Sequence, residues 1–217
     1  MRAGHDVTVR DEYIEVPDGE LWRLAGVHDG AAFGELFERH STAVYNHCFR
    51  RTGSWSTAED LSSVVFLEAW RRRSEVRLYG DSILPWLLAV ANNATRNSDR
   101  SKFRHRRLLA KLAGVSPSSR FEDDADQRID DENAMALILE KLSTLRNEEK
   151  EILALCDWSN LSYSEAAEAL NIPIGTVRSR LSRARAHLRT HFVESDHQDQ
   201  AIEVLTTNST KETDELL

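Results

Sequence analysis

The sequence predicts an all-α protein of two small helical domains, joined by an acidic flexible linker and ending in a helix-turn-helix. Apolar residues recur three or four positions apart through most of the chain, which is the spacing of amphipathic helices. No stretch of useful length alternates as a strand does. Between the two groups of helices lies a segment that contains Ser116-Pro117-Ser118-Ser119 and the acidic run 122–126, and this composition is typical of a domain boundary.

The distribution of charge is more informative than its sum. The chain has 217 residues, 41% of them hydrophobic, and a net charge of −8. The segment between Arg96 and Lys111 is strongly basic, whereas the linker and the last part of the chain are acidic. Cys48 and Cys156 have no metal-ligand spacing, and no apolar run approaches membrane-spanning length. We therefore expect a cytoplasmic protein without direct membrane insertion, cofactor or metal.

The first domain is predicted at 20–113, after a flexible N-terminal extension at 1–19. A break at Asp29-Gly30, a stop at Gly53 and a polar loop at 74–81 divide it into one short and three longer helices. The predicted helices cover 21–25, 31–52, 57–73 and the stretch that begins near 82. In the helix at 57–73, the residues expected to face inward are Leu61, Val64, Val65, Ala69 and Trp70.

The second domain is predicted at 132–193, after a linker at 114–131 and before an acidic tail at 194–217. Two helices, at 136–145 and 147–158, open this domain. They lead into the most informative stretch of the chain, LSYSEAAEALNIPIGTVRSRLSRARAHLRTHF.

This stretch reads as two short helices joined by a tight turn. Ser162 or Ser164 caps the first helix, Asn171 interrupts the pattern, and Pro173 suits the start of the second helix. The second helix carries an apolar face and several arginines, and 172–193 contains no Asp or Glu. The pattern predicts a helix-turn-helix whose second helix suits a DNA major groove. The plainer alternative is an amphipathic hairpin with a solvated basic face.

Four sequence blocks resemble the extracytoplasmic-function group of sigma factors. They are FGELFERHSTAVYNHCFRRTG, AEDLSSVVFLEAWRRR and LPWLLAVANNATRNSDR in the first domain, and GTVRSRLSRAR in the second. The resemblance covers about 20–111 and 131–192. It implies a protein that binds core RNA polymerase, recognises the −35 and −10 promoter elements and assists promoter melting. The sequence contains no glycine-rich phosphate loop or nucleophile motif, so we expect no enzymatic activity.

The resemblance assigns the double-stranded −35 element to the second helix of the helix-turn-helix. The residues expected to face bases are Arg178, Ser179 and Ser182, and Arg178 could pair with guanine. Those expected to contact phosphates or to pack the helix are Thr176, Arg180, Arg183 and Arg185. The alternative for some of these arginines is that they lie along the surface of their own domain.

The −10 element is bound as a separated strand, which requires a polar pocket, a stacking surface and cations near the backbone. The loop at 74–82 and the helix after it resemble the part of the family that does this. The residues expected to contact this strand are Tyr79, Asn92, Asn93, Arg96, Asn97 and Arg100. Tyr79 could stack on a flipped base, although loop packing is an equally simple role for it.

Binding to polymerase is assigned by resemblance to the helix at 58–73. The residues expected to contribute are Glu59, Asp60, Phe66, Glu68, Trp70 and Arg71. The family usually has a glutamine and an acid after the leucine, whereas this chain has Asp60-Leu61-Ser62-Ser63-Val64, which shifts the expected contacts toward Glu68 and the arginines beyond it. An anti-sigma factor is a further partner that the resemblance suggests.

Two other functions compete with this interpretation. A dimeric helix-turn-helix regulator would read a palindrome without polymerase, but the first domain resembles a polymerase-binding unit rather than a dimerisation unit. A sigma-like interaction protein without promoter function would not need the arginine-rich second helix.

Overall fold

The described part of the chain consists of two groups of α-helices that contact each other. The computed structural model describes residues 13–78, 80–109 and 125–190, and these ranges contain no strand. The prediction of an all-α fold with a helix-turn-helix is confirmed. The acidic tail predicted at 194–217 lies outside the described residues. None of the described helices is long and apolar enough to cross a membrane.

Four helices form the first group, and α2 packs against the other three. Their bounds are Asp18–Gly26 for α1, Gly30–Thr52 for α2, Trp55–Arg72 for α3 and Leu84–Leu109 for α4. The core of this group is formed by fully buried side chains from all four helices, including Leu21, Leu36, Val44, Val65, Leu87 and Leu88. Removing this apolar surface from water is the main stabilising term of the group.

Capping hydrogen bonds and one left-handed glycine determine where the helices begin and end. The Asp29 carboxylate accepts hydrogen bonds from the backbone N–H groups of Ala31 and Ala32, which caps the start of α2. Gly53 ends the same helix with a φ of +65°. This left-handed conformation is strained for residues that have a Cβ and is unstrained for glycine. The hydroxyl of Ser54 then accepts from the N–H of Thr57 and caps α3.

The second group carries the helix-turn-helix. Its helices are α5 at Ala125–Lys141, α6 at Asn147–Leu153, α7 at Tyr163–Leu170 and α8 at 174–190. A 3₁₀ turn at Leu142–Thr144 precedes α6, and a π-helical turn at Ala154–Trp158 follows it. The core of this group is built from the buried side chains of Leu145, Ile152, Leu155, Leu161, Ala166, Val177, Leu181 and Ala184.

Part of the predicted linker is helical, because α5 begins at Ala125 and so includes the end of the segment 114–131. Tertiary contacts explain this difference. A carboxylate oxygen of Glu132 accepts a hydrogen bond from the backbone N–H of Trp55 at 2.7 Å, and Met135 and Leu139 pack against the core. The helix is therefore held by the first group of helices.

The end of the predicted flexible extension at 1–19 is also tied to the domain, whereas 1–12 lie outside the described residues. The guanidinium of Arg39 donates to the backbone carbonyls of Tyr13, Ile14 and Val16 at 2.7–2.8 Å. Asp18 is buried at the start of α1. The prediction of flexibility is therefore wrong for 13–19, since one arginine satisfies three carbonyls there.

Candidate nucleic-acid interfaces

Helix α8 is seated so that its polar side faces away from the protein. Val177, Leu181 and Ala184 are at most 1% exposed and fix the rotation of the helix. Of the residues predicted to read the −35 element, this rotation exposes Arg178, Ser179, Ser182, Arg183 and Arg185. This is the arrangement that a helix needs in order to place donors in a major groove.

The helix before it is fixed by capping at both ends. The hydroxyl of Ser162 accepts from the N–H of Glu165 at 3.3 Å, and the Glu165 carboxylate accepts from the N–H of Ser162 at 2.8 Å. This reciprocal pair is a capping box. Asn171 then ends α7 with a φ of 51°, and the N–H of Ile172 donates back to the carbonyl of Ala167. The turn into α8 is therefore determined locally.

Arg185, Thr176 and Arg180 differ from the other predicted residues in their burial or in their contacts with other parts of the domain. Arg185 forms an ion pair with Asp157 of the π-helical turn, with its Nε 3.2 Å from a carboxylate oxygen. Thr176 and Arg180 are half-buried near the start of α8. Arg185 thus packs the helix against its domain, which was one of the two roles considered for it.

The residues predicted for the −10 element do not all lie on one side of α4. Asn93 and Asn97 are exposed, and the Arg96 guanidinium donates to the Asn93 amide oxygen at 2.6 Å. Asn92 is 0% exposed, and its amide oxygen lies 3.1 Å from Nε2 of His47. The prediction that Asn92 faces DNA is therefore wrong for this structure, because its amide belongs to the core.

Two of the predicted −10 residues cannot be placed. Tyr79 and the side chain of Arg100 lie outside the described residues. The remaining candidate surface on α4 consists of Asn93, Arg96 and Asn97, which we call the α4 polar face.

One member of the α4 polar face, Arg96, contacts the second group of helices. The Nε of Arg96 is 3.1 Å from a carboxylate oxygen of Glu151, which is only 3% exposed. Burial raises the pKa of the Glu151 carboxyl, and the positive charges of Arg96, Arg51 and Arg180 only partly oppose this. One acid thus lies close to arginines from both candidate DNA-binding helices.

Further hydrogen bonds join the two groups beside this ion pair. The Nδ1 of His47 is 3.1 Å from the hydroxyl of Ser159, and Arg50 donates to the backbone carbonyl of Trp158. His47 is 1% exposed. Burial lowers the pKa of the His47 imidazole to about 4, with a further contribution from the charges of Arg51 and Arg50 and an opposing hydrogen bond from Asn92.

Helix α3 has an exposed stripe that differs from the predicted polymerase-binding set. Phe66 is 6% exposed and packs edge-on against Phe37 at 4.7 Å, and Trp70 is half-buried with the Arg73 guanidinium 3.7 Å above its ring. Phe66 is therefore a core residue, and its assignment to a contact surface is wrong. Val64, predicted to face inward, is 51% exposed.

The exposed stripe itself combines charged and apolar residues. The exposed members are Glu59, Asp60, Val64, Leu67 and Arg71, with Leu67 61% exposed, and the half-buried Glu68 lies beside them. The Glu68 carboxylate pairs with Arg71 at 3.0 Å. Val64 and Leu67 were missed, although their spacing of four and seven residues from Asp60 places them on the same side of the helix.

The described residues contain no group of His, Cys, Asp and Glu side chains that could hold a metal ion. Both cysteines are free thiols. Burial raises the pKa of the Cys48 thiol to about 11 and that of the Cys156 thiol to about 11, so neither has the thiolate character of a reactive cysteine.

Comparison with known proteins matches both groups of helices. The family model for sigma-70 region 2 matches residues 36–113, and that for sigma-70 region 4 matches residues 135–188. The chain is 27% identical over 165 residues to the ECF RNA polymerase sigma factor BldN of Streptomyces coelicolor, covering 76% of this chain and 62% of the relative. It is 29% identical over 176 residues to the ECF RNA polymerase sigma factor SigK of Mycobacterium tuberculosis, covering 79% and 91%.

Two solved structures share the fold. CnrH, solved in complex with the cytosolic domain of CnrY, aligns with a TM-score of 0.60 at 22% identity, over 82% of this chain and 98% of that chain. The sigma factor RpoE, solved in complex with the anti-sigma factor NepR from Bartonella quintana, aligns with a TM-score of 0.55 at 21% identity, over 74% and 96%.

Proposed function

The chain belongs to the extracytoplasmic-function sigma factors, and we propose that it initiates transcription at promoters that it reads through α8 and the α4 polar face. The observation that carries this proposal is the orientation of α8, whose buried residues hold Arg178, Ser179, Ser182 and Arg183 toward solvent. The protein acts by binding rather than by catalysis, and it works in the cytoplasm.

The −35 element is read by the exposed side of α8. The guanidinium of Arg178 donates to the O6 and N7 acceptors of a guanine, a contact that discriminates against other bases by about 1–3 kcal/mol. Arg183 is exposed five residues further along the helix and contacts a phosphate, which positions the helix without adding sequence information.

The −10 element is bound by the α4 polar face. The amides of Asn93 and Asn97 bind base edges or phosphates of the separated strand, and Arg96 supplies a positive charge next to them. Arg96 is paired with Glu151 in the structure, so the promoter phosphate replaces this carboxylate when the second domain moves to the −35 element.

Polymerase is bound by the exposed stripe of α3. Its apolar members, Val64 and Leu67, lie between charged residues, which is the composition of a protein interface rather than of a solvated helix face. Because Ser62 and Ser63 stand in place of the usual family residues, Glu68 and Arg71 supply the polar contacts expected there, beside those of Glu59 and Asp60.

An anti-sigma factor controls the protein. The support is the fold shared with CnrH, solved in complex with the cytosolic domain of CnrY, and with RpoE, solved in complex with the anti-sigma factor NepR. Such a partner has a surface to occupy in the stripe of α3, where it would compete with polymerase.

Run-off transcription with core polymerase on a random DNA library tests the function. The protein should yield transcripts whose upstream sequences share two elements at a fixed separation. Arg178→Ala should reduce the preference at the −35 positions about tenfold or more. It should leave core binding unchanged. Arg189→Ala is the matched control, because Arg189 is exposed near the end of the same helix and is assigned no base contact.

Two results would contradict the proposal. One is the absence of any transcript that depends on the protein, together with tight binding of a palindrome by the protein alone. The other is an Arg178→Ala variant that retains full output and full −35 selectivity, which would refute the assignment of that residue.

A further inference from the structure

The basic residues of α8 divide into two sets, according to whether an acid of the same domain faces them. Those that are exposed and form no ion pair within the described residues are Arg178, Arg183 and Arg189. Those that face an acid are Arg180, Arg185 and His187. The charge of Arg180 acts on the Glu151 carboxylate, and the Nδ1 of His187 is 3.5 Å from a carboxylate oxygen of Glu149.

Arg185 is held by Asp157 in a bidentate ion pair. Its Nε is 3.2 Å from one carboxylate oxygen, and its Nη2 is 2.5 Å from the other. Two parallel hydrogen bonds fix the plane of a guanidinium as well as its position. The Arg185 side chain is therefore directed toward its own domain.

Without this pair, Arg185 would lie beside residues of the exposed set. It is seven residues after Arg178, so the two side chains leave α8 within about 20° of each other around the helix axis. It is also four residues before Arg189, which places these two on the same side of the helix. Asp157 therefore removes the middle member from a row of three arginines.

The π-helical turn at Ala154–Trp158 places Asp157 opposite Arg185. The N–H of Ser159 donates to the carbonyl of Ala154, five residues earlier, at 3.0 Å. The turn thus contains one residue more than an α-helical turn, which changes the direction of its side chains relative to those of α6. Turns of this kind are rare and occur most often at functional sites.

The pair affects DNA binding more than folding. The side chains of Arg185 and Asp157 are 48% and 29% exposed, and ion pairs with this much solvent around them stabilise a protein only weakly. An arginine that reaches a phosphate, in contrast, releases a counterion from the DNA and steepens the salt dependence of binding by about 0.9 in log K against log salt.

We propose that Asp157 limits sequence-independent DNA binding by α8, because it holds Arg185 away from the phosphates. The inference rests on the proposed function of α8. A phosphate contact strengthens binding to every sequence, so withholding one lowers the affinity for random DNA without removing a base contact. Asp157 itself contacts no base.

Binding of the full chain to a duplex of unrelated sequence tests this, measured by fluorescence anisotropy between about 50 and 200 mM salt. Asp157→Asn keeps the size of the side chain and removes its charge. The variant should bind more tightly than the wild type, and its slope of log K against log salt should be steeper by about 0.9. Its loss of affinity across this range should therefore be about 3.5-fold larger.

Three further variants identify the cause of this gain. Glu168→Gln is the matched control and should keep the wild-type slope, because Glu168 is an exposed acid of α7 without an ion pair in the described part of the chain. Asp157→Asn combined with Arg185→Ala leaves the net charge unchanged and should return the slope to the wild-type value. Arg183→Ala shows the size of one phosphate contact and should reduce the slope by about 0.9. A loss of folding would weaken binding, so it cannot imitate the expected gain.

Four outcomes would overturn the inference. The first is an unchanged slope in Asp157→Asn, and the second is a steeper slope that the double variant retains. The third is a double variant whose slope lies below that of the wild type, since Arg185 would then already contact DNA. The fourth is no measurable binding by either the wild type or Asp157→Asn at the lowest salt, since another feature would then limit α8. Failure of the proposed function has a different signature, the absence of any run-off transcript that depends on the protein.

Discussion

His47 should make the folded protein sensitive to mild acid. Its pKa is lowered from 6.5 to about 4 in the folded chain, chiefly by burial. At pH values between these two pKa values, the imidazole is protonated in the unfolded chain and neutral in the folded chain. The free energy of unfolding therefore decreases as the pH falls from about 6.5 toward 4. For this one residue, the decrease between pH 7 and pH 5 is about 2 kcal/mol, and it reaches about 3 kcal/mol below pH 4.

Other groups near His47 do not hide this effect. The positive charges of Arg51 and Arg50 act in the same direction as burial, since both lower the pKa of the His47 imidazole. Glu151 acts in the opposite direction, since its raised pKa favours the folded chain as the pH falls. A variant that differs only at His47 removes this opposing contribution from the comparison.

The assay is urea unfolding of the wild type and of His47→Gln at pH 7 and pH 5, followed by tryptophan fluorescence. Glutamine hydrogen-bonds but does not titrate, so the variant should lose about 2 kcal/mol less than the wild type between the two pH values. His28→Gln is the control, because His28 is exposed and should keep the wild-type dependence. Equal losses in wild type and His47→Gln would show that the buried imidazole is not the group responsible.

Three other changes have defined outcomes. Gly53→Ala should lower the free energy of unfolding in urea by about 1–2 kcal/mol, because its φ of +65° is unfavourable for alanine and the new Cβ would lie 2.9 Å from a methyl of Leu139. Ser162→Ala should cost about 1 kcal/mol by removing the cap of α7, measured by thermal unfolding; no change would show that the Glu165 contact suffices. Glu151→Gln should increase binding of a single-stranded −10 oligonucleotide to the free protein, measured by fluorescence anisotropy, because Arg96 loses its ionic partner.

The helices were predictable because their apolar residues repeat at the helical period and their ends carry strong local signals. Gly53 and Asn171 illustrate this, since both adopt positive φ values at the positions where the pattern stops. The beginning of α5 at Ala125 was not predictable from composition. It depends on contacts such as that between Glu132 and Trp55, which join residues far apart in the sequence.

The candidate sites were predictable as segments but not as individual side chains. Asn92 and Asn93 are adjacent and therefore point about 100° apart on a helix. Only the residues one turn away show which of the two faces the core. Leu88 and Thr95, four residues before and three after Asn92, are buried, so Asn92 lies on the buried side of the helix. Phe66 and Val64 are a similar case, since apolar character alone does not distinguish a core residue from one that is exposed for a partner.

The contact between Arg96 and Glu151 has a consequence for how the protein responds to dilution. Glu151 competes with DNA for Arg96 at an effective concentration that depends on the segment connecting the two domains. This effective concentration does not change with the amount of protein in the cell. Raising the amount of free protein therefore increases the number of molecules in which Arg96 is free to bind DNA. It does not increase the fraction of molecules in that state. In the proposed function, binding to polymerase separates the two domains and changes that fraction, so the occupancy of promoters should depend on the supply of polymerase as well as on the abundance of this chain.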